Sequence, residues 1–212
     1  MRLPPGEVHC WTFGLDATPD ACAALSALLS RDERDRSERL RDPRLRQRFI
    51  AAHAGLRTLL GCYLGAPPAG IDLVRDAFGK PALGGPSSDR LRFNLSHSGD
   101  LALLGIVADA DIGVDLEEVR DEPDFIAVAE WVLPATEVER LNRLPTEHRS
   151  RAFLRHWTAL EAAAKARGEG LGELDATAEA PGWSQYELQP AASHVGAVVV
   201  RGSGWRVVSC TC

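Results

Sequence analysis

Two pairs of charged residues in this chain have the spacing of a reactive site. Asp115 and Glu117 lie in segment 111–118, where apolar and polar residues alternate. Alternate side chains of a strand share a face, so the two carboxylates would project together, about 7 Å apart at Cα. Two carboxylates repel each other unless a cation lies between them, and hard oxygen donors suit Mg²⁺. A solvated strand face would show the same pattern, so the spacing alone leaves both interpretations open.

The second pair, Glu161 and Lys165, has the four-residue spacing that places two side chains on one face of a helix. Trp157 and Ala164 share that face and are expected to point inward. A surface salt bridge would also have this spacing, but a charged pair on an apolar face is typical of a functional site. The chain contains only two lysines, Lys80 and Lys165, beside 22 arginines, so a compact ammonium stands at just these positions.

Hydrophobic periodicity predicts the elements that must position these residues. An apolar run at 101–107 reads as a buried strand leading into 112–117. A long helix would begin at Pro43 and end at Gly65, and a second would cover 147–167 before Gly168 and Gly170. Thr136 and Glu139 have capping-box spacing for a shorter helix. Further strands are predicted at 9–15, 71–75, 91–95, 183–189, 194–200 and 205–210, and further helices at 21–29, from Ser30, and at 123–133.

The element order repeats along the chain. Leu29 and Leu133 lie 104 positions apart, as do Phe49 and Phe153. The sequence therefore predicts an α+β fold of two similar halves forming a pseudo-dimer, 1–106 and 107–212. The same offset matches Glu161 with Arg57, so a cleft between the halves would offer acids on one wall and cations on the other. That combination suits a polyphosphate ester.

Composition limits the classes of protein that remain. The 212 residues are 45% hydrophobic, enough for a substantial core. No run reaches membrane-spanning length, and the first residues lack the apolar core of a signal peptide. Five scattered cysteines favour a reduced, cytoplasmic protein. The net charge of −6 argues against nucleic-acid binding, although eight arginines against five acids between Arg31 and Arg48 form a local basic surface.

Four motifs together resemble one family. They are Phe78-Gly-Lys-Pro81, Phe93-Asn-Leu-Ser-His-Ser-Gly99, Ile112-Gly-Val-Asp-Leu-Glu117 and Trp157-Thr-Ala-Leu-Glu-Ala-Ala-Ala-Lys165. In this order they resemble the 4′-phosphopantetheinyl transferases of the surfactin-type (Sfp-like) class, and the resemblance covers nearly the whole chain. It implies transfer of 4′-phosphopantetheine from coenzyme A to a serine of an acyl or peptidyl carrier protein, with release of 3′,5′-ADP.

The resemblance also implies roles for individual residues. Asp115, Glu117 and Glu161 would hold Mg²⁺ against the coenzyme A pyrophosphate, and Glu161 would also deprotonate the serine, directly or through water. Lys165 would neutralise charge on the leaving group. The remaining predicted contacts to coenzyme A are Ser96 and His97 at its phosphates and Lys80, Arg57 and His53 near the nucleotide. The basic 31–48 region would meet either the ribose 3′-phosphate or an acidic carrier, and the pseudo-dimer would suffice as a monomer.

Two positions depart from the family pattern. Leu160 stands where the family usually has lysine, and His53 stands where many members have arginine. A homologue with impaired catalysis that binds coenzyme A or a carrier therefore remains an alternative to the transferase. A phosphodiesterase that removes the arm is a third possibility, although no water-activating base is evident beyond Glu161.

Overall fold

The computed structural model describes residues 1–75, 79–88, 90–120, 125–169 and 181–212. The fold class is α+β, as predicted. Phe78, Pro123 and Gly170, which entered the sequence predictions, lie outside these ranges. In chain order the described elements are β1 (Glu7–Gly14), α1 (Pro19–Ser26), α2 (Arg31–Arg39), α3 (Pro43–Leu64), β2 (Leu73–Arg75), β3 (Pro81–Leu83), β4 (Arg92–Ser98), β5 (Leu101–Val107), β6 (Ile112–Glu118), α4 (Phe125–Val132), α5 (Ala135–Arg143), α6 (Thr146–Arg167), β7 (Trp183–Leu188), β8 (His194–Arg201) and β9 (Arg206–Thr211).

The two halves share one topology. Each runs strand, two short helices, one long helix and a final pair of sheet strands, and the helices match in length at 8, 9 and 22 residues. The first half has in addition the short two-stranded sheet β2–β3 between its long helix and its final pair. The strand orders correspond as well, β4-β5-β1 in one sheet and β7-β8-β6 in the other. β9 departs from the repeat because it joins the first sheet, in parallel with β1. The last strand of the chain thus belongs to the sheet of the first half.

The ends of the long helices correct the predicted offset. α3 and α6 both end at a glycine in the left-handed conformation, Gly65 (φ 66°) and Gly168 (φ 69°). These caps lie 103 positions apart, one fewer than the offset read from the sequence. Arg57 therefore corresponds to Leu160 rather than to Glu161.

Alternation along the strands builds a four-layered arrangement of helix, sheet, sheet and helix. On β5, Leu104 and Ile106 face α3, whereas Leu103 and Val107 face the second sheet. Both faces of β5 are covered, which explains why its sequence is apolar throughout. On β6, Val114 and its alternate neighbours contribute to the core between the sheets, and the intervening residues face α6.

Two local predictions were wrong. α5 begins at Ala135 after Pro134, and no side chain caps it, so Thr136 lies inside the first turn and does not form a capping box. The strand predicted to end at residue 95 continues to Ser98. The polar residues at its end are part of the strand because their hydroxyls bind groups of the second half, as described below. No helix in the described ranges is long and apolar enough to cross a membrane.

Candidate active site

Strand β6 presents its polar residues to α6 and its free edge to β4. Among the strands of the described ranges it pairs only with β8, on one side. On the other side, side chains of β4 take the place of a neighbouring strand. Asn94 Oδ1 accepts a hydrogen bond from Val114 N (2.8 Å), and Ser98 Oγ accepts one from Glu118 N (3.1 Å). These bonds satisfy main-chain groups that an exposed edge would leave to water, and they hold the two halves together beside the acids.

Asp115, Lys165 and Ser96 form the centre of the site. Lys165 Nζ donates to Asp115 Oδ1 at 2.5 Å and lies 3.4 Å from Ser96 Oγ, which itself donates to Asp115 Oδ1 at 2.9 Å. The Glu161 carboxylate lies 3.8 Å from the same ammonium. One ammonium therefore joins the strand acid, the helix acid and a serine of the first half. Glu117 is held separately by Ser98 Oγ, at 2.8 Å.

The three acids share a weakly hydrated environment that disfavours their charge. Burial raises the pKa of Asp115, of Glu117 and of Glu161 above their ordinary values. Repulsion adds to this effect, from Asp115 and Glu161 at Glu117 and from Asp115 at Glu161. Lys165 opposes the rise at all three. An added cation would relieve the remaining repulsion.

The residues present fit a divalent cation by their chemistry. Asp115 is 3% exposed, and within the described ranges its Oδ2 is a buried oxygen without a hydrogen-bond partner. Oxygen donors of this kind are what Mg²⁺ prefers. No three His, Cys, Asp or Glu side chains of the described part already stand in a metal-binding arrangement. The Lys165 ammonium lies among the acids instead, so a metal would have to share or displace its contact with Asp115.

Basic side chains surround the neighbouring His97. Desolvation lowers the pKa of the His97 imidazole, and repulsion from His53, Lys165 and Arg48 lowers it further. His97 on β4 is therefore influenced by three other basic groups, which come from α3 and α6. This positive edge adjoins the acidic centre through Lys165.

Glu33 of α2 orients His53. The Glu33 carboxylate is 5% exposed and lies 3.1 Å from His53 Nδ1 and 2.6 Å from Arg57 Nε. Burial would raise the Glu33 pKa, but hydrogen bonds from His53, from Arg57 and from the Ser30 amide outweigh it and lower the pKa to about 2. With Nδ1 engaged, His53 can direct its Nε2 toward a ligand.

Arg57 requires a correction. Its side chain is 2% exposed, and its guanidinium also donates to the carbonyls of Pro68 (3.1 Å) and Ile71 (2.9 Å). A buried charge needs such partners. The predicted contact between Arg57 and a nucleotide does not agree with this placement, in which Arg57 supports Glu33 and, through it, His53.

Lys80 also differs from its prediction. Its half-buried ammonium donates to the main-chain carbonyls of Ile112 (2.9 Å) and Lys165 (2.5 Å). Lys80 therefore contacts the main chain of β6 and α6, the two elements that carry the acids and Lys165.

Comparison with known proteins identifies the family. Residues 111–205 match the family model of the 4′-phosphopantetheinyl transferase superfamily. The chain is 38% identical to the 4′-phosphopantetheinyl transferase HetI of Nostoc sp., over 97% of this chain and 92% of the relative. The chain belongs to the 4′-phosphopantetheinyl transferase superfamily. It is also 34% identical to the putative 4′-phosphopantetheinyl transferase slr0495 of Synechocystis sp., over 77% of this chain and 67% of the relative. The prediction of an enzyme of this family is confirmed.

In this phosphopantetheinyl transferase the structure brings some of the predicted site residues together and places others elsewhere. The structure brings together Ser96, Asp115, Glu161 and Lys165, and it places Glu117 on the same strand face as Asp115. Arg57 is excluded from this group, and Lys80 acts from the main-chain side. Sequence reasoning missed Asn94, Ser98 and Glu33. The alternation of polar residues at 94, 96 and 98, and the capping-box spacing of Ser30 and Glu33, were the available signals.

A cavity of about 370 Å³ adjoins the transferase site at Glu117. Its wall is polar near the acids and apolar toward the helices of the second half. The lining residues are Ser98, Glu117, Glu118, Arg120, Phe125, Val128, Ser150, Phe153, Leu154 and Trp157.

Proposed function

We propose that this enzyme transfers 4′-phosphopantetheine from coenzyme A to a serine hydroxyl of an apo acyl or peptidyl carrier protein and releases 3′,5′-ADP. The observation that carries the proposal is the Asp115–Lys165–Glu161 cluster in a member of this family. Its two-half topology supports the surfactin-type class. Residues 1–106 would supply the phosphate and nucleotide side and residues 107–212 the metal-binding and catalytic side, within a monomer in the cytoplasm.

The acids and the lysine divide the work at the pyrophosphate. Asp115, Glu117 and Glu161 would hold Mg²⁺, which when bound neutralises charge on phosphate oxygens. Lys165 provides positive charge beside the departing 3′,5′-ADP. Phosphoryl transfer depends mainly on alignment and charge neutralisation, and the contacts of Lys165 to Asp115 and Ser96 orient its ammonium for that task.

Glu161 is our candidate for the base. The serine Oγ forms a new bond to the β-phosphorus of coenzyme A as the bond from that phosphorus to the bridging oxygen breaks. The serine proton passes to Glu161, directly or through water, and the electron pair leaves with 3′,5′-ADP. Burial raises the pKa of Glu161, which makes its carboxylate a better proton acceptor than an exposed glutamate.

The basic edge suits the other phosphates of coenzyme A. Ser96 and His97 would contact phosphate oxygens, and His53 would approach from α3, where Glu33 orients it. Arg48 influences His97 and belongs to the same edge. Within the 31–48 region five arginines are exposed: Arg31, Arg39, Arg41, Arg44 and Arg46. Arg46 donates to the main-chain carbonyls of Glu38 and Leu40, and the other four are available to an acidic carrier. The cavity beside Glu117 has both polar and apolar walls, as the pantetheine arm requires.

Mass spectrometry of a panel of apo carriers, incubated with the enzyme, coenzyme A and Mg²⁺, tests the proposal. We expect at least one carrier to gain the phosphopantetheine mass. Asp115→Ala and Glu161→Ala should each lower the rate about a hundredfold or more, with circular dichroism unchanged. Glu139→Ala is the matched control, because it removes the acid of an exposed i,i+4 pair on α5 (3.3 Å to Arg143). Variants within a few-fold of wild type would reject the assignments.

Leu160 favours one alternative, a homologue that binds coenzyme A or a carrier without efficient transfer. This partly exposed residue precedes Glu161 and supplies no second ammonium beside Lys165. Tight coenzyme A binding by calorimetry, together with no modified carrier in the panel, would support that alternative over the transferase.

A further inference from the structure

The backbones of β6 and α6 touch where the reactive residues are carried. At Gly113 an added Cβ would lie 2.1 Å from the Ala162 carbonyl oxygen and 2.4 Å from the Ala166 nitrogen. No side chain fits between strand and helix at this crossing. Asp115 lies two residues along the strand and Lys165 one residue before Ala166, so the geometry of the crossing determines the distance between Asp115 and Lys165.

The helix side of the crossing has a main-chain carbonyl that its own helix does not satisfy in the usual way. In a regular helix the Lys165 carbonyl would accept from the amide of Glu169. That amide donates instead to Ala164 O (3.1 Å), as part of the turn at Gly168. Lys80 Nζ donates to the Lys165 carbonyl at 2.5 Å. A cation at this place is also favoured by the negative end of the helix dipole.

The strand side presents a second such carbonyl. Asp111 O accepts from Arg201 N at 2.9 Å, in the direction of β8. The next carbonyl, that of Ile112, points to the opposite edge of β6, where no strand of the described part of the chain pairs. Lys80 Nζ donates to it at 2.9 Å. One ammonium thus binds both backbones at their crossing, and it comes from the first half of the chain, just before β3.

We propose that Lys80 is a positioning residue, whose ammonium fixes the crossing of β6 and α6 and thereby the contact of Lys165 with Asp115. An ammonium can direct separate N–H groups at two carbonyls that lie in different directions, whereas a guanidinium is a planar fork. The role differs from the nucleotide contact expected for Lys80 from the sequence. The predicted effect of Lys80 on the reaction rate rests on the proposed function. The proposal that Lys80 fixes the crossing of β6 and α6 does not.

The two-lysine composition makes a direct test possible. Protein labelled with ¹³C at lysine Cε should give two lysine signals, and Lys80→Met leaves one, that of Lys165. We expect this signal to shift from its wild-type position toward that of a solvated lysine. In Lys80→Arg the Lys165 signal should return only part of the way to its wild-type position. Because the readout needs neither coenzyme A nor a carrier, it holds even if the proposed reaction is not found.

Kinetics separate positioning from nucleotide binding. Displacement of a reacting group by about 1 Å can cost a hundredfold in rate, so Lys80→Met should lower kcat about tenfold to a hundredfold and change KM for coenzyme A less than about threefold. The preference for coenzyme A over dephospho-coenzyme A, which lacks the 3′-phosphate, should stay at the wild-type value. If Lys80→Met does not fold, Lys80→Gln, which keeps an uncharged NH₂ donor group, serves in its place.

Arg149→Met is the matched control. Arg149 also donates to two main-chain carbonyls, those of Leu144 (2.8 Å) and Asn142 (2.9 Å), but these lie at the end of α5, away from the crossing. We expect it to lower thermal stability as Lys80→Met does while leaving kcat and the Lys165 signal unchanged. An unmoved Lys165 signal in Lys80→Met would overturn the proposal. So would a raised KM with a lost preference for coenzyme A, which would make Lys80 a nucleotide ligand.

Discussion

At the scale of the residue, the chemistry of Asp115 comes from its surroundings. The same carboxylate on a solvated strand would be an ordinary acid, but here it is 3% exposed and one of its oxygens is a buried atom without a partner in the described ranges. Glu117 and Glu161 share this environment, so their charges affect one another. The proposed reaction needs these acids ionised, but their surroundings disfavour the ionised form. The activity should therefore depend on pH.

We predict an acid limb in the pH profile of kcat/KM that lies above the ordinary pKa range of carboxylates. The pKa values of Asp115, Glu117 and Glu161 are raised, so these groups take up protons as the pH falls through values at which exposed acids remain charged. Added Mg²⁺ should move the limb to lower pH, because the cation competes with protons for the same oxygens. A limb that does not respond to Mg²⁺ would separate the metal from these acids.

At the scale of the element, a buried carboxylate of α2 binds two side chains of α3. Glu33 completes a capping box with Ser30 at the start of α2 and binds both His53 and Arg57 of α3. An arginine-rich helix with little apolar surface is thus held against the fold by charge-assisted hydrogen bonds. The position of His53 depends on the same contact.

Glu33→Gln should destabilise the protein in a pH-dependent way. The pKa of Glu33 falls from 4.5 to about 2 in the folded state, which corresponds to about 3 kcal/mol. A lowered pKa contributes stability that is full above pH 4.5 and is lost as the pH falls toward 2. Urea unfolding of wild type and variant should therefore differ by about 3 kcal/mol at pH 7, and the difference should shrink at pH 3. A constant difference would mean that the carboxylate charge contributes little.

The crossing of β6 and α6 gives a second prediction at this scale. Gly113→Ala should destabilise the protein by about 1–3 kcal/mol, because a Cβ at Gly113 would meet helix backbone that cannot rotate away. Separation of the two elements should also lower kcat, since Lys165 moves with α6. Gly14→Ala is the control, as nothing lies within 4 Å of the added Cβ. Thermal unfolding and initial rates of carrier loading measure the two effects.

At the scale of the whole molecule, the two halves share their structure as well as repeat it. Val8 and Leu103 of the first half pack with Val114 and Val198 of the second in one core between the sheets. β9 completes the sheet of the first half. The core between the sheets therefore needs residues of both halves, and the sheet of the first half needs a strand from the second.

We predict a single cooperative unfolding transition. The five tryptophans can be replaced by a fluorinated analogue and followed individually by ¹⁹F NMR in urea. Trp11 on β1 and Trp183 on β7 report on different halves, and their native signals should disappear at the same midpoint because the core between the sheets is common to both. Separate midpoints would show that the halves fold as independent domains.

The extent to which the sequence predicted this structure varies with the distance between partners. Elements governed by neighbouring residues were predicted well. Pro43 and Gly65 bound α3, and Gly168 ends α6, because caps act within one turn. Prediction failed where a distant partner decides. Ser98 continues β4 because its hydroxyl binds β6. The capping box predicted at Thr136 failed for a local reason instead, because α5 begins one residue earlier, directly after Pro134.

By itself the sequence determined which side chains share a face: Asp115 with Glu117 on a strand, and Glu161 with Lys165 on a helix. Such relations follow from the period of each element. Only the tertiary structure decided that Lys165 meets Asp115, that Arg57 is buried against Glu33 and that Lys80 reaches two carbonyls of the other half. The reason is physical: periodicity sets the direction of a side chain, whereas its partner depends on how elements far apart in the chain pack together.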